Sequence, residues 1–284
     1  VIKRIASAAE QGKAEAVLVA GDLFDSASVD RSTVSATCSA IGSIGIPVLV
    51  IPGNHDHFGP GTVWRQDFFS REQRNLARNL VVLTEPIPYE LDGAVIMPCP
   101  LLRRTVVGDP TAWLRSAEIY SSLPAGKPRV VLAHGSTQSF VGVSDDEEDG
   151  VETNLIDIER LPEGEVDYIA LAGYLKLLPE RVVRAYRNRI VNIHPGPLPK
   201  YGGKGMYGHH VHEAVLASGD KETGPTVHLV DEIYDHGKIL DQARIPIQPD
   251  DTPETLQTRV QAEEHKLYPR VIEKLLRGEY ELDE

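Results

Sequence analysis

Four short β-branched runs that empty into polar residues constrain this chain more than anything else in it. Val17-Leu18-Val19-Ala20 leads into Gly21-Asp22, and Val48-Leu49-Val50-Ile51 into Pro52-Gly53-Asn54. Val130-Val131-Leu132-Ala133 leads into His134, and Ile190-Val191-Asn192-Ile193 into His194. Runs this short and this apolar read as strands buried between layers. In α/β proteins the carboxyl ends of such strands are where functional groups gather. Small and apolar residues over 34–44 suit a crossover helix between the first two runs, so the opening reads as a βαβ unit. Further strands are expected at 80–83, 94–97, 166–171, 226–230 and 239–245. Helices are expected at 179–186, at 211–218 and along 253–276, the last broken near Pro269. The fold class is therefore α/β, with mostly parallel sheets flanked by helices.

Composition narrows the function classes. The 284 residues are 41% apolar and 25% charged, with 42 acidic against 29 basic residues and a net charge of −13. That excess of negative charge disfavours a sequence-independent grip on a nucleic-acid backbone and leaves small molecules as the expected partners. No apolar run approaches the ~20 residues of a membrane span. Cys38 and Cys99 lie far apart in apolar or small-residue surroundings, which points to buried thiols in a reducing, cytoplasmic setting. The chain opens at Val1 inside an amphipathic pattern, and a segment upstream of it is expected. The acidic run 145–149 reads as a solvated loop.

Two sets of chemistry-bearing residues stand apart. The earlier set, Gly21-Asp22-Leu23-Phe24-Asp25, Gly53-Asn54-His55-Asp56 and Ala133-His134-Gly135, offers carboxylate, amide oxygen and imidazole from successive strand ends. This is the donor mix of a hydrolytic metal centre. In that order the motifs resemble the calcineurin-like metallophosphoesterases, the branch with DNA-repair exonuclease subunits, over about residues 1–170. The resemblance implies that Asp22, Asn54 and His134 hold a metal such as Mn or Zn, and that His55 donates a proton to the leaving group. The family's opening Asp-x-His and closing Gly-x-His motifs have no counterpart here, so only one of its two metal positions is expected to keep its ligands.

The later set, Asn192, His194 and Asp235, suits acyl transfer to an amine without a metal. Imidazole and carboxylate manage protons, and a carboxamide donates to a developing oxyanion. Asn192-Ile193-His194-Pro195-Gly196-Pro197-Leu198-Pro199, Gly202-Gly203-Lys204-Gly205, Thr226-Val227-His228 and Asp235-His236-Gly237 resemble glycinamide ribonucleotide formyltransferase over about residues 167–282. The resemblance implies a Rossmann-like catalytic half and formyl transfer from 10-formyltetrahydrofolate to the amine of glycinamide ribonucleotide, in purine biosynthesis. Asn192, His194 and Asp235 would act on the formyl group. Leu175, Lys176, Leu177, Leu178 and the stretch 230–235 would flank the pterin, and Glu264 would meet the acceptor. His209, His210, His212 and His228 invite a zinc site, but within this family they read as loop and core residues. The Gly-rich phosphate loop of the family's first half has no equivalent in residues 1–166, which should raise KM for the acceptor.

The division is expected at 1–168 and 169–284, and 166–171 suits both halves as one strand shared by a continuous parallel sheet. Exposed sheet edges point to modest stability or a homodimer. The alternatives to formyl transfer are a metal-dependent phosphoesterase or nuclease, and an inactive fusion that retains only ligand-binding remnants.

Overall fold

The computed structural model describes residues 2–137, 153–162, 164–166, 168–171 and 177–282. Two compact units divide the chain, Val1–Val166 and Asp167–Glu284, against the expected boundary at 168/169.

In the first unit, α1 (Ile2–Gln11), β1 (Val17–Ala20), α2 (Arg31–Gly42), β2 (Val48–Ile51), α3 (Asp67–Leu76) and β3 (Leu80–Val82) alternate. The three strands pair in parallel, in the order β1-β2-β3. Then follow β4 (Tyr89–Glu90), β5 (Val95–Cys99), α4 (Ala117–Ser121), β6 (Arg129–Ala133) and the two-residue strands β7 (Ser136–Thr137) and β8 (Leu155–Ile156). β5 and β6 are parallel, with β4 antiparallel at their edge.

Successive side chains of β2 point to opposite faces, and it is apolar throughout because both faces are covered. Val48 and Val50 of β2 face α2 and α3, where Val34, Cys38, Ile41, Trp64 and Phe69 complete a core. Leu49 and Ile51 face the other way, onto Ile96 and Leu132 of the second sheet. Each such side chain contributes about 1.5–3 kcal/mol by leaving water. Asp30 caps α2 by accepting the Thr33 amide at 3.0 Å. Cys38 and Cys99 are both free and buried, and burial pushes their thiols up to about 11 and about 12.

The second unit contains β9 (Ile169–Leu171), α5 (Glu180–Ala185), β10 (Ile190–His194), α6 (His209–Ser218), β11 (Glu222–Thr223), β12 (Thr226–Leu229), β13 (Ile239–Gln242), β14 (Ile245–Pro246) and α7 (Pro253–Leu276). Its main sheet runs β13-β12-β10-β9. Only the β9–β10 pair is parallel, and β12 is antiparallel to both neighbours. The shared strand is corrected here: β9 is an edge strand of this sheet, paired with β10, and the continuous parallel sheet expected through 166–171 is not formed among the described residues.

The break expected at Pro269 is also corrected, because α7 continues through it. Thr252 and Thr255 close a reciprocal capping box at its start. Leu256 and Val260 pack on α6, while Leu267, Val271 and Leu275 pack on Val191 and Val227 of the sheet. That burial on both sides of Pro269 outweighs the ~3 kcal/mol a helix-interior proline costs. The Tyr268 hydroxyl, within 2.7 Å of the Leu171 carbonyl and 2.9 Å of the Val191 carbonyl, pins the same helix to two strand ends. No helix among the described residues is long and apolar enough to cross a membrane.

Candidate functional sites

The first unit brings Asp22, Asn54 and His134 together. β6 lies beside β1, so His134, just past β6, meets the turn after β1. There Gly21 and Asp22 both adopt the left-handed conformation, at φ 86° and 53°. A Cβ on Gly21 would strike the His134 ring, and one on Gly53 would strike the Asp22 carboxylate. Glycine is required at both positions for the loops to close on each other.

His134 Nδ1 donates to the Ala20 carbonyl at 2.8 Å. Its Nε2 faces Asn54 Oδ1 at 2.7 Å and Asp22 Oδ2 at 3.4 Å. With the proton on Nδ1, three lone-pair atoms converge on one point. Asp22 Oδ1 accepts the His55 amide at 3.0 Å, and the exposed His55 ring donates through Nδ1 to the Asp25 carbonyl at 3.0 Å.

Asp56 was given no role by the sequence reading. It is fully buried and accepts the amides of Gly53 at 2.7 Å and of Asp22 and Phe24 at 3.2 Å each, while Trp64 Nε1 donates to its carbonyl. Burial pushes its carboxyl above the ordinary value despite those amides. One side chain therefore ties the loop after β1 to the loop after β2. Its place in Gly53-Asn54-His55-Asp56 was visible, but its inward direction was not.

The second unit builds its cluster differently. Asn192 and His194 stand two apart on β10, hence on one face, and antiparallel register sets Asn192 opposite His228 of β12. The β12–β13 turn returns Asp235 over that face, with Asp235 itself at φ 54°. Its Oδ2 lies 3.5 Å from His194 Nδ1 and its Oδ1 lies 3.6 Å from His228 Nε2. The Gly203 amide donates to Oδ2 at 3.0 Å. Burial alone would raise this carboxyl, yet the two imidazoles and the Gly203 amide outweigh it, and the net is a group held well below the usual carboxylate range. His194 Nε2 is fixed by the Tyr201 carbonyl at 2.8 Å, and His228 Nδ1 by the Leu229 carbonyl at 2.7 Å. Asn192 Nδ2 makes a long contact to His228 Nε2 at 3.4 Å, and its Oδ1 is buried without a partner.

This cluster forms one wall of a cavity of about 570 Å³. Leu177 and Leu178 line it, as do Val230, Ile233 and Glu264. Leu175 and Lys176 lie outside the described residues. Burial raises the Glu264 carboxyl, with the His194 charge working against it. Gln257, Gln261 and Glu264 line the cavity at helical spacing i, i+4, i+7 on α7, one residue beyond its buried stripe. Of these three, only Glu264 was singled out from the sequence. His212 and His228 are 1% and 2% exposed, and both also line the cavity.

Residues 150–272, which include this cluster, match the model of the formyl transferase family. Individual relatives are similar over part of the chain. A chloroplastic phosphoribosylglycinamide formyltransferase of Vigna unguiculata is 52% identical over 118 residues, covering 42% of this chain and 38% of that protein. A phosphoribosylglycinamide formyltransferase of Bacillus subtilis is 44% identical over 119 residues, covering 42% of this chain and 58% of that protein. The chain thus matches less than two thirds of the length of these relatives, 38% of the first and 58% of the second. A solved phosphoribosylglycinamide formyltransferase from Brucella melitensis is 32% identical over 63% of this chain and 96% of that one, at a TM-score of 0.38.

Proposed function

We propose that the second unit transfers a formyl group from 10-formyltetrahydrofolate to the amine of glycinamide ribonucleotide. The observation that carries this reading is the meeting of Asn192, His194 and Asp235 on the wall of one cavity, within the segment that matches the formyl transferase family. The acceptor amine attacks the formyl carbon, and charge moves onto the formyl oxygen. The Asn192 carboxamide, which has only a long contact to His228 to give up, donates to that oxygen. Asp235 remains ionised and favours the cationic form of His194 as the charge develops. It also orients a water that carries the proton shed by the amine to the departing tetrahydrofolate nitrogen. Leu177, Leu178 and the stretch 230–235 give the pterin an apolar wall and backbone partners, and the Glu264 carboxylate faces the acceptor. The test is a formyl-transfer assay beside Asn192→Ala. Loss of one oxyanion donor should lower kcat by about 10²–10³-fold, and equal activity in the two proteins would remove the mechanism.

A second reading applies to the first unit. Its support is the convergence of Asp22 Oδ2, Asn54 Oδ1 and His134 Nε2 at 2.7 and 3.4 Å from the shared nitrogen. Those separations approach the ~3.3 Å edge of a tetrahedron with ~2.0–2.1 Å metal–ligand bonds. Bound there, a Mn or Zn ion would polarise a phosphoryl oxygen, and His55 would stand beside it as proton donor. Metal-stimulated hydrolysis of a phosphodiester that is abolished in Asn54→Ala is the expected result. Hydrolysis indifferent to added metal would discard this reading.

A further inference from the structure

Outside both clusters, one group of metal-ligating side chains is assembled on the surface of the second unit. We propose that His209, His210 and Glu213, at the start of α6, form a binding site for a borderline divalent transition metal of the zinc class. A ligand atom of each residue lies within 4.8 Å of the other two, and among the described residues no other trio of His, Cys, Asp or Glu meets in this way.

The local backbone produces the arrangement. Gly208, at φ 51°, turns the chain into α6 without a side-chain cap, so the two histidines are its first helical residues. Glu213 follows one turn later, at i+4 from His209 and i+3 from His210, where helical side chains meet. The His209 and His210 rings are 4.0 Å apart between centroids, at 41°. His210 Nδ1 lies 3.3 Å from Glu213 Oε2, and the Tyr207 ring sits 5.3 Å away, edge-on to His210.

The donor set decides the ligand class. Two imidazoles and one carboxylate suit zinc, nickel or copper, whereas magnesium and calcium want oxygen throughout. All three side chains are exposed, so water can complete the coordination sphere, as at an open zinc site. The amino-terminal end of a helix dipole opposes a cation, and the Glu213 carboxylate offsets it. The site is independent of formyl transfer. Tyr207 and Gly208, which lead into it, also line the cavity, so an ion bound here would stiffen one lip of the cleft.

The test uses the full chain bearing Asn54→Ala, which silences the first-unit cluster, titrated with Zn²⁺ against a chromogenic chelator. One equivalent of zinc is expected, undisturbed by excess Mg²⁺. Adding His209→Ala and His210→Ala should weaken binding by more than about 100-fold, beyond the range that loss of outer-sphere partners produces. Glu213→Gln should weaken it by a smaller factor. Circular dichroism of the variants checks that these exposed substitutions leave the fold intact. Zinc affinity unchanged in the double-histidine variant, displacement by Mg²⁺ at equal concentration, or no zinc bound to the Asn54→Ala chain would each overturn the proposal.

Discussion

Asp22, Asn54 and His134 come from three separate strand ends, whereas Asn192 and His194 stand two residues apart on one strand and only Asp235 arrives from elsewhere. The first arrangement depends on loops packed against each other, with glycines at 21 and 53 and the buried Asp56 holding them. The second depends on sheet register and one return turn, with the charge of Asp235 shared between two imidazoles. In the first cluster, with the His134 proton on Nδ1, three lone pairs point at a common centre. In the second, an anion already has its partners, so the cluster is suited to moving protons more than to holding a cation.

Asp56→Ala should break this contrast most severely, since it strips the acceptor from three amides at once. An unpaired buried amide costs about 1–3 kcal/mol, so the first unit should lose about 3 kcal/mol or more. Hydrogen exchange should report it as lost protection at 21–24 and 53–56, with β10 and β12 as the internal reference. Asp56→Asn, which keeps one acceptor and removes a desolvated charge, should lose less. Equal losses would mean that the carboxylate's geometry is not what holds the loops.

Asp235→Asn probes the other arrangement. The native carboxyl is depressed, so its contribution to stability is complete above its unfolded value near 3.8 and disappears as pH falls through the lower native one. The variant should therefore melt lower than the native chain at neutral pH, and the gap should shrink below about pH 4. Its formyl-transfer rate should fall by roughly 10²-fold or more, the scale of a lost proton-transfer group. A melting difference that does not vary with pH would show that Asp235 acts through packing, not charge.

The legible and illegible parts of the chain divide along physical lines. β1, β2, β5, β6, β10 and β12 were readable because β-branched runs bounded by glycine, proline or polar residues have few other uses. β4, β7 and β8 are two residues long, too short for any period. The segment 166–171 was readable as a strand but not by its neighbour, because apolar alternation fixes which faces are buried and says nothing of which edge pairs. Pro269 misled for a related reason: local propensity was weighed without the packing of Leu267 and Val271 that overrides it. In the sites, Asn192, His194 and Asp235 stood out through their donor types and through the motifs around them that resemble the formyltransferase family. His212 and His228 did not, since a buried histidine in a core and one beside a cleft look alike in sequence.

Glu264→Gln gives the smallest and most diagnostic effect. Burial raises this carboxyl and the His194 charge only partly restrains it. With the native value above the ordinary 4.5, the unfolded chain ionises first as pH rises. The stability of the neutral acid is thus complete below about 4.5 and is lost as pH climbs through the native value. Glutamine mimics the protonated form, so the variant should match the native chain at about pH 4 and melt slightly higher at about pH 7. The same change should raise KM for the acceptor amine while leaving kcat nearly unchanged, because a carboxylate that only binds the amine contributes equally to ground and transition states. A lower melting point at neutral pH would mean that the carboxylate is already paired as an anion. It would then belong with Asp235 among the groups that organise the cleft, leaving the acceptor to be held by Gln257 and Gln261 on the same face of α7.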